Sequence, residues 1–260
     1  MERLRTQRPR GLTRASLRTW AMLFLAMGIL GRGILQTRYL NVANLDSEQL
    51  LQLLTNTPGA MAVATTSLVL QFMECCAVPI FCLLLADGFS NTSDAGKYLL
   101  RVLGVALLSE IPFNFAMSAK FLDMSSRNPA FGIALSLMLL YLYGYFTQKK
   151  AAHLLARFLV TVAAFVWCYI LRIEHGVAIL MISLVYWLFR EKPMFRNLAG
   201  GAAAMLCCIF SMFYMAAPMG VMINHFYNGE KGRENRVFSY LFYPAALSLC
   251  GVIGYLVFGF

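Results

Sequence analysis

Two carboxylates sit where a chain can least cheaply keep them. Glu74 lies inside an apolar run over residues 59–89, and Glu110 inside another over 95–119, two residues before Pro112. A carboxylate at that depth in hydrocarbon costs about 2.5 kcal/mol or more, so it needs a partner, a proton or a job. Burial raises a carboxylate's pKa towards the range where it exchanges protons near neutrality, which is what a general base requires. Glu110 is the first candidate for that role and Glu74 the second. His225, next to Asn224, is a third, as a histidine within an apolar segment. Each has a bland alternative. Glu110 could be a structural carboxylate paired with Arg101, Arg32 or Arg127 to hold helices in register, and His225 a hydrogen-bonded packing residue.

Further polar residues stand near these three. Arg32 interrupts an apolar run between Gly31 and Gly33, and is read either as an arginine snorkelling to the interface or as a site residue held close to its neighbours by the glycines. Arg127 and Asn128, with Glu174 and His175, are read as the lining of an outer mouth or as ordinary loop polarity. With Arg32 and Asn114, Arg127 and Asn128 make up the candidate substrate-binding set.

The elements that must position them follow from composition. Of 260 residues, 60% are hydrophobic and 13% charged, with a mean hydropathy of +0.65. Apolar runs of about 20 residues recur along the chain, which predicts an all-α polytopic transmembrane bundle of about nine spans, some kinked or discontinuous. The net charge of +10 falls in clusters between apolar runs, as topology signals do, so a nucleic-acid partner is not expected and the lipid bilayer is. The seven cysteines lie within apolar runs as small hydrophobes, with no metal-ligand spacing, and no metal is expected.

In chain order, Arg3, Arg5, Arg8, Arg10, Arg14 and Arg18 form a basic arm, with residues 1–16 expected on the cytoplasmic side. Residues 17–35 form a first span, read as a retained helix rather than a cleaved leader. An outer loop over 36–58 carries a short surface helix over 47–54. The run 59–89 is too long for one straight crossing and is expected to break at Pro79. Asn91 to Asp94 supply turn and cap chemistry before the helix that carries Glu110. His153, beside a basic cluster, reads as a solvated interface residue. The run 198–227 is expected to split near 216–220, and a last span follows from 237 to about 258. The whole is a single integral-membrane domain over 1–260.

Several blocks then carry a family resemblance: V-P-I-F-x-x-L-L-x-x-G-F at 78–89, K-Y-L-L-R at 97–101, A-L-L-S-E-I-P-F at 106–113, F-Y-N-G-E-K-G at 226–232 and Y-L-F-Y-P at 240–244. Together they resemble the TraX family of bacterial membrane proteins. The resemblance implies an acyltransferase of the bacterial cytoplasmic membrane, taking an acetyl or other acyl group from coenzyme A on the cytoplasmic side and passing it to an amine or hydroxyl of an exported peptide or cell-surface acceptor. A phosphate-bearing donor of that kind is held by arginine or lysine. Lys97, Arg101, Lys149 and Lys231 are then its candidate ligands, with Tyr227 and Asn228 from the F-Y-N-G-E-K-G block that also holds Lys231; each basic residue could equally serve only to fix topology. The chain departs from the family pattern at Ile29, Ser126 and Ala246, positions where the resemblance leads one to expect histidine. A non-catalytic transporter, lipid-binding or assembly protein on the same fold is therefore the alternative.

Overall fold

The computed structural model describes residues 11–146, 148, 150–233 and 235–259, and the regular elements among them are helical. In order they are α1 (Arg14–Ile29), continued by a π-helical stretch (Leu30–Tyr39), α2 (Ser47–Asn56), α3 (Ala60–Glu74), α4 (Ala77–Ser90), α5 (Ala95–Ser118), α6 (Ala130–Tyr143), α7 (Ala151–Ile170), α8 (Gly176–Leu188), α9 (Pro193–Leu206), α10 (Ala217–His225) and α11 (Arg236–Phe258). Two short 3-10 turns, Cys207–Ile209 and Met212–Ala216, separate α9 from α10.

Five stretches are long and apolar enough to cross a membrane: Arg14–Tyr39, Ala60–Ser90, Ala95–Ser118, Ala151–Ile170 and Val237–Phe258. The expectation of about nine crossings had counted α6, α8, α9 and α10 as well, but these run only 14, 13, 14 and 9 residues, short of the roughly 20 a straight span needs. Their hydrophobicity has another use. Leu180, Ile182 and Tyr186 of α8 are completely buried, as are Ala204 of α9 and Ala217 of α10, so each of these three helices turns a face to the protein interior, while Phe195 and Leu198 of α9 and Met222 of α10 stay exposed. α7 behaves oppositely: Leu154, Leu155, Phe158, Leu159, Val166 and Trp167 are all exposed. A long helix that keeps only Ala164 and Cys168 buried has an apolar surface suited to lipid as solvent. Together these helices are those of a membrane protein.

The breaks have local causes. The 59–89 run parts at Cys75 and Cys76, between α3 and α4, a few residues before Pro79, whose missing N–H leaves the Cys75 carbonyl without its helical donor. α10 fills the break: the Cys76 thiol donates to Ala216 O at 3.2 Å, and Asn224 Nδ2 to Pro79 O at 2.9 Å. A Cβ on Gly220 would strike the Cys76 carbonyl, so glycine is what lets α10 approach. The second break, expected near 216–220, occupies Cys207 to Ala216.

The start of α1 explains the F-Y-N-G-E-K-G block. Leu12 N, Arg14 N and Ala15 N donate to the carbonyls of Phe226, Glu230 and Lys231 at 2.7, 2.8 and 3.1 Å, and Asn228 N donates to Leu12 O at 3.0 Å. The loop thereby satisfies amides that a helix terminus otherwise leaves without partners. Gly229 and Gly232 hold φ of 81° and 68°, a region that costs other residues about 1–2 kcal/mol, and the backbone of Gly232 passes directly over Thr13.

Candidate functional site

The centre of the site is Glu74, the last residue of α3. Its carboxyl lies against Gly28 of α1, where a Cβ would overlap it, and it makes no hydrogen bond among the described residues. It borders two cavities at once. On one side is a polar chamber of about 520 Å³, lined by Arg32, Gln36, Gln71, Glu174, His175, Ser211 and Tyr214 among others. On the other is a narrower apolar corridor of about 180 Å³, lined by residues including Leu25, Phe81, Val102, Ile133 and Tyr243. Glu74 and His175 belong to both linings. A third cavity of about 300 Å³ adjoins the far end of the corridor, sharing Arg18, Leu84, Tyr98 and Tyr240 with it. Arg14, Arg18, Arg101 and Lys231 make that mouth cationic.

The three cavities lie in series. Along α1, Arg14 and Arg18 stand at the mouth, Leu25 at the corridor and Arg32 at the chamber. α3 and α4 run the opposite way, from Gln71 and Glu74 through Phe81 to Gly88 and Asn91. At 1.5 Å per residue, Arg18 and Arg32 are roughly 21 Å apart along the helix axis. The cavities thus follow one another along the bundle, cationic at one end, apolar in the middle and polar at the other, each sharing wall residues with the next.

The chamber is built by tertiary contact. Arg32 is ion-paired with Glu174. Gly31 and Gly33 on either side of it admit α3 and α5: a Cβ on Gly31 would lie 2.9 Å from Ser67 O, and one on Gly33 would lie 3.2 Å from Ala116 O. Ser67 Oγ donates to Gly31 O at 2.8 Å, and Gln71 Nε2 to Gln36 Oε1 at 2.8 Å. Wide π-helical turns of the kind formed by Leu30–Tyr39 often occur at functional sites. His175, the N-cap of α8, has a φ of 55°, and its Nδ1 lies 2.6 Å from the Tyr214 hydroxyl. Burial lowers its pKa below the usual histidine value; Glu174 opposes that shift and Arg32 adds to it. The backbone bridge of Arg127 N to Arg172 O at 3.0 Å and Glu174 N to Arg127 O at 2.9 Å pins this turn into the bundle.

The structure brings Glu74 and Arg32 together and places Glu110 elsewhere. Glu110 accepts from Arg127 Nη1 at 2.7 Å and from Asn128 Nδ2 and N at 2.7 and 3.3 Å. Asn128, completely buried, also donates to Ala106 O at 2.9 Å. This network ties the segment before α6 to α5, and neither Glu110 nor its two partners line the three cavities. Asn114 is buried, with no hydrogen-bond partner for either amide atom among the described residues, and likewise lines none of them. His225 is exposed, edge-on to the Phe226 ring at 5.7 Å.

Among the donor candidates, Arg101 and Lys231 line the mouth. Lys97 is mostly exposed and pairs with Asp94 at 3.2 Å. Tyr227 donates to Asp87 Oδ2 at 3.0 Å, and Asp87 is also ion-paired with Arg14. The Asn228 backbone holds the start of α1. Lys149 lies outside the described residues.

The departures from the family pattern also converge. Ile29 is buried in an apolar cluster with Phe113, Leu247 and Cys250, and Ala246 packs against it. Two of the positions where histidine was expected are thus filled with hydrocarbon. Sequence reasoning missed Arg14, Arg18, Tyr98, Tyr240 and Tyr214 as lining residues. Tyr240 and Tyr243 lay in the quoted Y-L-F-Y-P block, but Tyr214 had no signal beyond its nearness to the break before Pro218.

A helical membrane protein with a charged mouth, an apolar corridor and a buried carboxylate beyond it is the class that fold and site define. The family model described as TraX protein matches residues 15–254, and the chain belongs to the TraX family. No curated protein and no solved structure matches it.

Proposed function

We propose that the chain is a multi-pass protein of the bacterial cytoplasmic membrane, with its basic N-terminal end on the cytoplasmic side, and that it transfers an acyl group from coenzyme A to an amine or hydroxyl acceptor. The observation that carries this reading is the carboxyl group of Glu74, free of hydrogen bonds among the described residues and lining both the apolar cavity next to the cationic mouth and the polar chamber. Arg18, Arg101 and Lys231 suit the phosphates of the donor. Leu84, Val102, Phe81 and the rings of Tyr98 and Tyr240 suit an uncharged linear arm. The chamber beyond receives the acceptor, whose proton Glu74 accepts as its nitrogen or oxygen attacks the acyl carbon.

Calorimetry and a transfer assay on purified protein test this together. Arg101→Ala with Lys231→Ala should weaken coenzyme A binding, whereas Glu74→Gln should keep that binding and lower transfer by about 10²-fold or more, the contribution typical of a general base. Absence of both binding and transfer in the unaltered protein would refute the reading.

One observation favours a second reading, a proton-coupled transporter. Two discontinuities, between α3 and α4 and between α9 and α10, meet beside the ionisable Glu74, as unwound helices do in such proteins. Solute uptake abolished by Glu74→Gln, in a protein that ignores coenzyme A, would decide for it.

A further inference from the structure

We propose that Tyr214 is a positioning residue that holds His175 in its Nε2–H form, so that His175 serves as a hydrogen-bond donor to the acyl carbonyl oxygen and proton abstraction is left to Glu74. The inference rests on the acyl-transfer reading for its chemistry, but the side-chain arrangement stands on its own.

The Tyr214 hydroxyl and His175 Nδ1 are 2.6 Å apart, with their rings edge to face at 5.6 Å. One proton lies between them, and two assignments are open. If Nδ1–H donates to the tyrosine oxygen, the buried Tyr214 O–H, on a residue only 4% exposed, is left without an acceptor among the described residues. If the tyrosine donates to the Nδ1 lone pair, both groups are satisfied. The other ring nitrogen agrees with the second assignment: Nε2 lies 4.0 Å from Glu174 Oε1, and a carboxylate on that side favours hydrogen on Nε2.

The groups facing the ring are Tyr214, Glu174, Arg32 and Glu74. Burial keeps the imidazole neutral. A neutral ring with Nδ1 engaged and Nε2 protonated can donate into the cavity but has no lone pair with which to take a proton there. Glu74, which borders the same space and accepts no hydrogen bond among the described residues, is the remaining base.

The transfer then balances. The acceptor O–H or N–H gives its proton to Glu74 while its heteroatom bonds to the thioester carbon. The carbonyl electron pair moves onto oxygen, where His175 Nε2–H steadies it. When the pair returns, the C–S bond breaks, and the leaving thiolate recovers the proton from Glu74.

The chain has three histidines, so histidine-selective ¹⁵N labelling of the full chain in micelles gives a short spectrum, with His175 assigned by loss of its signals in His175→Asn. The expected result is that the protonated ring nitrogen of His175 is the one coupled to both ring C–H protons. Tyr214→Phe, which removes only the hydroxyl, should shift the tautomer ratio by up to about tenfold towards the Nδ1–H form, the equivalent of one hydrogen bond. In the transfer assay it should lower kcat with the KM for acyl-coenzyme A unchanged. A protonated Nδ1 in the unaltered chain, or a tautomer ratio indifferent to Tyr214→Phe, would overturn the proposal whatever the activity. Loss of the acyl-transfer reading is detected separately, by the binding and transfer assays.

Discussion

The two carboxylates are predicted to respond oppositely to neutralisation, and the size of the contrast follows from their partners. Glu110 accepts two strong charge-assisted or amide hydrogen bonds at 2.7 Å and a weaker one at 3.3 Å. Bonds to a charged group contribute about 1.5–3 kcal/mol each. Because the Arg127 side chain is 31% exposed, its guanidinium can turn outward when the partner is lost, and the full sum is not forfeited. Glu110→Ala should therefore cost about 3 kcal/mol of stability, at the lower edge of what breaking a buried pair costs. Glu110→Gln, which keeps an oxygen for Asn128, should cost about half as much. Glu74→Gln forfeits no hydrogen bond among the described residues and replaces a buried carboxyl with an uncharged group of the same shape, so its stability should equal or exceed that of the unaltered chain. The assay is reversible unfolding in mixed micelles, following helix content. If Glu74→Gln unfolds as early as Glu110→Ala, or if Glu110→Ala is silent, the assignment of one carboxylate to structure and the other to chemistry is refuted.

Gly28→Ala should lower stability by about 1–3 kcal/mol, measured by the same unfolding, because its methyl group enters the space of the Glu74 carboxyl. Gly232→Ala combines a φ of 68° with a close approach to Thr13 and should cost at least about 1 kcal/mol, with faster proteolysis at the start of α1 as a second readout. His175, whose pKa is lowered in the folded state, remains neutral where the unfolded chain takes up a proton. Its contribution is complete above the unfolded value near 6.5 and is lost as pH falls through and below it. Comparing melting at pH 7.5 and 5.5, His175→Asn should show a smaller loss than the unaltered chain.

Much of this fold could be read from the chain because hydrophobic run length and proline placement are local signals. The parting of 59–89 near Pro79 and the splitting of 198–227 each follow from residues within a few positions of the break. The count of crossings was less legible, since α8 and α9 are as apolar as lipid-facing helices and only tertiary packing reveals that Tyr186 and Ala204 face other helices. Sequence placed Glu110 ahead of Glu74 for a related reason, since nothing local to either residue tells their surroundings apart. What separates them is Asn128, eighteen positions from Glu110, and Gly28, whose missing side chain opens space for Glu74. His175 carried the polarity of an ordinary turn until the Arg127 bridge and Tyr214 drew it into the chamber wall. The mouth was partly visible, through Arg101 and Lys231, whereas Arg14 and Arg18 were masked by a basic arm in which every arginine looked like a topology signal.

For transfer to occur, a donor must reach Glu74 from the cationic end of the bundle. A cryo-electron-microscopy map of the protein with coenzyme A tests this most directly. It should show the phosphates against Arg18, Arg101 and Lys231 and the arm running between Tyr98, Tyr240 and Phe81 towards Glu74 and His175. Density for coenzyme A elsewhere on the protein, or a corridor filled by lipid while the mouth stays empty at saturating coenzyme A, would contradict it.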